Sequence, residues 1–241
     1  MAYATAAGSI ETRVAALPWS RIEQSLDAEG HALLGPLLTP AECAAVAARF
    51  DDPAAFRSHV VMARHGFGQG EYKYFAAPLP PDVATLRRAL YAGLVPTANR
   101  WRALLGEAGE YPAMLDAYTA QCHAAGQTRP TPLLLRYGPG DFNRLHQDRY
   151  GALLFPIQVV TLLSDPANFE GGALVLVEQK PRAQSRAEVV TLGLGRAVAF
   201  AVHHRPAQGA RGVHRVALRH GVSTIRAGTR STLGIIFHDA A

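Results

Sequence analysis

Apolar residues along this chain keep two rhythms, and the change falls near residue 130. Before it the spacing is helical. In "LLTPAECAAVAARF", Thr39 stands as an N-cap with Pro40 at the first helical position and Glu42 closing a capping box. Val46 and Phe50 follow four apart, on one face. "DVATLRRALYAGLVPTANRWRALLG" and "YPAMLDAYTAQCHAAG" continue the helical period, with interruptions expected near Pro96 and Pro112. "SHVVMARHGFGQGEYKYFAAPLPPD" breaks it: glycines, aromatics and prolines there predict a short strand and an ordered loop.

After residue 130 the apolar runs are short and separated by turn signals: "LLLRY", "FPIQVVTLL", "ALVLVEQ", "EVVTL", "AVAFAVH", "VHRVAL", "STIRA" and "STLGIIFH". That spacing belongs to a β sandwich or barrel, not to alternating βαβ units. With no repeat and no linker, the expectation is one domain over 1–241. Its class is mainly β with N-terminal helices (α+β), a helical and loop-rich part (1–130) packing on a β core (131–241).

Composition narrows this picture. At 49% hydrophobic, 241 residues suffice to bury a full core. No apolar run reaches eighteen residues and "MAYATAAGSIETRVAALPWS" lacks a secretory pattern, so a cytoplasmic protein with no membrane partner is expected. Cys43 and Cys122 make no metal or redox pair and read as small buried residues. Net charge is +5, and between Ala201 and His238 stand six arginines and no acid, a stretch able to meet a phosphate backbone or simply to face solvent. Nothing in the pattern sets an oligomeric state.

Candidate chemistry begins at "LLLRYGPGDFNRLHQDRYG". Alternate residues at a strand end point the same way, so His146 and Asp148 can supply two of the three ligands, two His and one carboxylate, of a non-haem Fe(II) site. The third must come from a distant strand, and His203, His204, His214, His220 and His238 are all available. A 2-oxoglutarate cosubstrate adds a second requirement, because its far carboxylate wants a permanently charged bidentate partner. His220 has Arg230 ten residues on, across Ala227-Gly228-Thr229, whereas the same offset from His214 reaches Thr224. Thr232, two beyond Arg230, falls on the same side and offers a hydroxyl.

In order and spacing, Tyr137 with Gly140, His146 with Asp148, Gly171-Gly172 in "FEGGALVL", and His220 with Arg230 in "HGVSTIRAGTR" resemble the Fe(II)/2-oxoglutarate-dependent oxygenases. A closer likeness runs over roughly residues 30–241. "RHGFGQGEYKYF", "FPIQVVTLLS", "VEQKPRAQSR", "AFAVHHRP" and "LGIIFHDAA" resemble a bacterial family of small oxygenases assigned to oxidative repair of alkylated nucleic acid. The resemblance implies a double-stranded β-helix (jelly-roll) core, with Tyr137 reaching the cosubstrate where its residue type alone would equally suit half-buried packing. His65, Tyr72 and Tyr74 fit a substrate lid or an aromatic core-facing loop.

The function expected is a dioxygenase: iron on His146, Asp148 and His220, 2-oxoglutarate on Arg230 with Tyr137 and Thr232, and O2 consumed to hydroxylate a substrate C–H bond with release of succinate and CO2. An N-methyl carbon would leave as formaldehyde. A ring carbon would give a prolyl, amino-acid or small-metabolite hydroxylase instead. Two rivals are a non-catalytic β-barrel nucleic-acid-binding module and a cupin-like metal enzyme without cosubstrate, the latter opposed by Arg230 and Thr232. Part of the cluster Arg205, Arg211, Arg215 and Arg219 is expected to rim the site mouth and meet a nucleic-acid substrate whose target base is flipped or single-stranded.

Overall fold

The computed structural model describes residues 8–180, 182–210 and 212–241. Two antiparallel sheets face each other. The larger runs, strand by strand, His31–Pro36, Arg196–Ala201, Ile157–Leu162, Arg230–Ile235, Leu133–Tyr137, Glu71–Phe75 and Phe56–Val61. The smaller runs Arg186–Val190, Leu174–Gln179, Gly212–Val222, Phe142–His146 and Gly68–Gln69, with His204–Gly209 pairing on the free part of Gly212–Val222. Leu133–Tyr137, Phe142–His146, Ile157–Leu162 and Leu174–Gln179 alternate between the sheets along the chain, as in a double-stranded β-helix. Nearly uninterrupted burial on Ile157–Leu162, Arg196–Ala201 and Arg230–Ile235 shows the larger sheet covered on both faces.

Helices cover the outer face of the larger sheet. Pro81–Leu104 buries Leu86, Leu90, Tyr91, Leu94, Ala98 and Trp101 against it, and Arg87 from the same helix donates to the Ile236 and Phe237 carbonyls and to Asp239. The capping box at Thr39 and Glu42 forms as the sequence predicts, and both cysteines are buried. Pro112 lies in the connection between helices, but Pro96 sits inside an unbroken one. There Pro96 removes one backbone hydrogen bond, and the burial of Leu94, Val95, Thr97 and Ala98 around it outweighs that loss.

The segment expected to hold one short strand and an ordered loop holds three strands, Phe56–Val61, Gly68–Gln69 and Glu71–Phe75, and His31–Pro36 is a fourth before residue 130; together they extend both sheets. Phe56–Val61 and Glu71–Phe75 carry mixed burial, so their sequences lack the clean alternation that marks the later strands.

Candidate metal and cosubstrate site

Between the sheets lies a cavity of about 370 Å³. Its smaller-sheet wall carries the candidate ligands. His146 ends the strand Phe142–His146, and His220 lies directly opposite it on Gly212–Val222, so backbone pairing brings the two rings to 4.1 Å between centroids. Asp148 follows two residues later in the loop. Its Oδ1 lies 3.5 Å from His146 Nε2 and its Oδ2 3.3 Å from His220 Nε2. The three candidate ligand atoms sit within 4.8 Å of one another, close enough to share one ion, and no other His in the described residues joins them. His214, six residues before His220, does not.

Neighbouring groups orient these side chains. His146 Nδ1 donates to the Arg144 carbonyl at 2.8 Å, which leaves the Nε2 lone pair free. The Tyr150 hydroxyl donates to Asp148 Oδ1 at 2.5 Å. Burial alone would raise the Asp148 pKa, but the adjoining His220 and His146 outweigh it and hold the carboxyl well below its usual range. Burial lowers the His220 pKa, and the nearby His146 adds to that. At His146 the hydrogen bond and charge of Asp148 overcome the desolvation and raise it. Tyr150 stays protonated, its pKa pushed well up by burial and by the Asp148 charge.

The larger-sheet wall carries the candidate anchor. Arg230 opens its strand, paired with Tyr137, and is 4% exposed. Its Nη1 has no hydrogen-bond partner, and no carboxylate forms an ion pair with it among the described residues. The guanidinium carbon lies 5.8 Å from the Tyr137 ring centre, and Tyr137 and Thr232 both line the same cavity. Burial lowers the Arg230 pKa from a value so high that the group remains a cation. Gly172 makes room for it: a Cβ there would stand 2.7 Å from Arg230 Cδ, in a backbone at φ +64 that favours glycine.

The path from His220 to Arg230 runs through a separate two-stranded sheet. Ile225–Gly228 pairs with Phe169–Gly171, and Gly228 turns a corner that carries the chain from one sheet to the other. The ten-residue spacing therefore connects opposite walls of the cavity. None of the three described arginines of the cluster expected at the mouth lines the cavity. Arg205 is buried and bound to Glu178 at 2.6 Å. Arg215 and Arg219 alternate with buried Val216, Leu218 and His220, so they face away from the cavity, and Arg215 pairs with Glu107. Arg211 lies outside the described residues. Arg215 and Arg219, four apart on a period-2 strand, share the face opposite His220, which counting arginines by sequence alone overlooks.

The cavity adds residues that the sequence reading passed over. Gln158 is 3% exposed with an unpartnered Nε2, and it lines the cavity. Its signal was a polar side chain inside the apolar run "FPIQVVTLL". Tyr150 stands two beyond Asp148, a spacing that points it at the carboxylate. Tyr72 and Tyr74 do line the cavity, as strand residues with their rings edge to face rather than as parts of a lid.

Residues 70–240 match the family model of Oxygenase-NA, described as "Oxygenase, catalysing oxidative methylation of damaged DNA". Two uncharacterized proteins of Mycobacterium tuberculosis, from strains CDC 1551 and H37Rv, are each 50% identical over 168 residues, 69% of this chain and 72% of theirs. Among solved structures, a Pseudomonas putida prolyl-4-hydroxylase matches with a TM-score of 0.54 at 16% identity, covering 92% of this chain and 99% of that one. A Burkholderia pseudomallei oxidoreductase of the 2OG-Fe(II) oxygenase family matches at 0.53 and 17%, covering 92% and 93%. At such identities the likeness is one of fold.

Proposed function

The chain belongs to the Oxygenase-NA family of oxygenases, and from that membership we propose that it is an Fe(II)- and 2-oxoglutarate-dependent dioxygenase acting on N-alkylated bases of nucleic acid. The observation that carries the cofactor reading is Arg230: a buried cation with an unpartnered Nη1 and no carboxylate partner among the described residues, in the same cavity as two His and one carboxylate converging on one point. An unpaired buried charge is costly, and a dicarboxylate cosubstrate would offset it. Fe(II) bound between His146, Asp148 and His220 would activate O2 while 2-oxoglutarate is oxidised to succinate and CO2, delivering one oxygen atom to a substrate C–H bond.

Each residue has a defined task. His146 offers Nε2 because its Nδ1 proton is held by the Arg144 carbonyl. Asp148 is kept ionised, with one oxygen engaged by Tyr150 and the other turned toward His220. Arg230 grips the far carboxylate of 2-oxoglutarate, with Thr232 and Tyr137 beside it. Leu133, Leu135, Val160 and Leu174 exclude water. Gln158 leaves a buried N–H for an acceptor on the group presented to the metal.

Oxygen chemistry removes an N-methyl group rather than adding one: hydroxylation gives N–CH2OH, which breaks its C–N bond, returns the proton to nitrogen and releases formaldehyde. The test is succinate and formaldehyde release with Fe(II) and 2-oxoglutarate across N-methylated oligonucleotides, proline peptides and free amino acids. Equal amounts of both products, from the oligonucleotides alone, are expected. Succinate without formaldehyde, formed with a peptide or amino acid, would replace the repair reading with a hydroxylase one.

A further inference from the structure

The cavity mouth bears an apolar patch that the chemistry above does not use. Phe67 is 47% exposed and Leu145 46% exposed, and both line the cavity. His65, also exposed, stacks on Phe67 with ring centres 5.3 Å apart and planes 21° apart. The segment is held in place: Phe67 O accepts from Arg144 N at 2.9 Å, and Gly68 pairs with Asn143, on the strand that ends in His146. The patch therefore has a fixed position relative to the metal-binding residues.

An aromatic pair and Leu145 grouped in one exposed patch beside a cavity mouth form the kind of surface that marks a contact site. Its surroundings favour one kind of partner. Arg64 and Arg144 are exposed beside it, and Asp148, deep inside, is the one carboxylate among the described lining residues. Flat π faces with flanking guanidinium groups suit bases and phosphates.

We infer that His65 and Phe67 form an outer stacking platform for the base next to the target, so that this enzyme takes a single-stranded polymer rather than a duplex or a free nucleoside. The inference rests on the nucleic-acid reading above. In a duplex the neighbouring base is stacked and paired, and its face is not available to the platform. A free nucleoside has no neighbour and gains nothing from it.

The test is fluorescence anisotropy of a labelled, unmodified oligonucleotide, single-stranded and as a duplex, over a range of salt. The wild-type protein is expected to bind the single strand more tightly. Phe67→Ala should weaken that binding roughly five- to a hundred-fold, the range for one base–aromatic stack, and leave the slope of log affinity against log salt unchanged. Phe67→Tyr, which keeps the ring, should retain the affinity. Arg144→Gln should flatten the slope by about 0.7, one phosphate's share. Equal affinity in wild type and Phe67→Ala overturns the platform and leaves the nucleic-acid reading standing. Absence of oligonucleotide binding by the wild type at low salt, with succinate formed on a peptide, overturns both.

Discussion

Arg205 and Arg230 lie on strands of opposite sheets, and each is under 5% exposed. The region around Arg205 is complete. Its Nη2 meets Glu178 at 2.6 Å, its Nε reaches the same carboxylate at 3.2 Å, and its Nη1 donates to the Asp27 and Pro206 carbonyls. Around Arg230 one terminal nitrogen has nothing. A folded chain seldom buries a cation without satisfying it, so the first arginine belongs to the structure and the second waits for an anion from outside. Burial alone does not separate a structural charge from a functional one. The partner count does.

The sharpest way to break that contrast is to truncate both. Arg205→Ala should destabilise the fold by about 3–5 kcal/mol, because it leaves the buried Glu178 with only the exposed Lys180, at 3.6 Å, among the described residues, and a urea titration reads this directly. Arg230→Ala should leave the folded state as stable as the wild type or more so, yet cost about 2–5 kcal/mol of 2-oxoglutarate binding, measured calorimetrically with Mn(II) in place of iron. A large loss of stability in Arg230→Ala would place it in the same class as Arg205. Arg230→Lys should fall between, keeping the charge and losing the fork.

Smaller effects sharpen the same picture at its neighbours. Tyr150→Phe removes the hydroxyl that holds Asp148 Oδ1, and metal affinity should fall about 10- to 100-fold without loss of the fold; an unchanged Mn(II) titration would release Tyr150 from that task. Gly172→Ala crowds Ile225 Cδ1 and, at 2.7 Å, the Arg230 stem from a backbone at φ +64, so it should weaken 2-oxoglutarate binding by less than Arg230→Ala, with a fold cost of at least about 1–2 kcal/mol.

His238 supplies a pH dependence. It is fully buried, its Nδ1 accepts from the Phe155 N–H, and burial pushes its pKa down to about 4. The unfolded chain takes up this proton near pH 6.5, so the neutral histidine favours the fold above that pH, and the contribution is lost as pH falls toward 4. Between pH 7 and pH 5 the cost is about 1–2 kcal/mol. His238→Gln should remove that part of the slope, and parallel urea midpoints at the two pH values measure it.

Much of this was legible in the amino-acid order, for a physical reason. Metal ligation and anion binding need particular residue types at particular spacings, so His146, Asp148, His220 and Arg230 stand out, and the structure brings all four to one cavity. The late strands were equally legible because both faces of the larger sheet are buried and leave apolar runs. Strands of mixed burial, such as Phe56–Val61 and the ligand-bearing Phe142–His146, carry no such pattern. Helical continuity through Pro96 depends on packing by residues far away in sequence. The outward turn of Arg215 and Arg219 follows from strand register, which the count of arginines does not contain. Gln158 and Tyr150 matter only through what surrounds them.

One measurement reaches the central claim without knowledge of the substrate. Fe(II) chelated by the keto acid end of 2-oxoglutarate absorbs visible light through metal-to-ligand charge transfer, so anaerobic titration of the metal-free protein with Fe(II) and 2-oxoglutarate reports both halves of the site at once. The wild-type protein should develop the band with one equivalent of each, Asp148→Ala should not develop it, and Arg230→Ala should need far more 2-oxoglutarate. A wild-type protein that gives no band, or a band that persists unchanged in Asp148→Ala, would contradict the account.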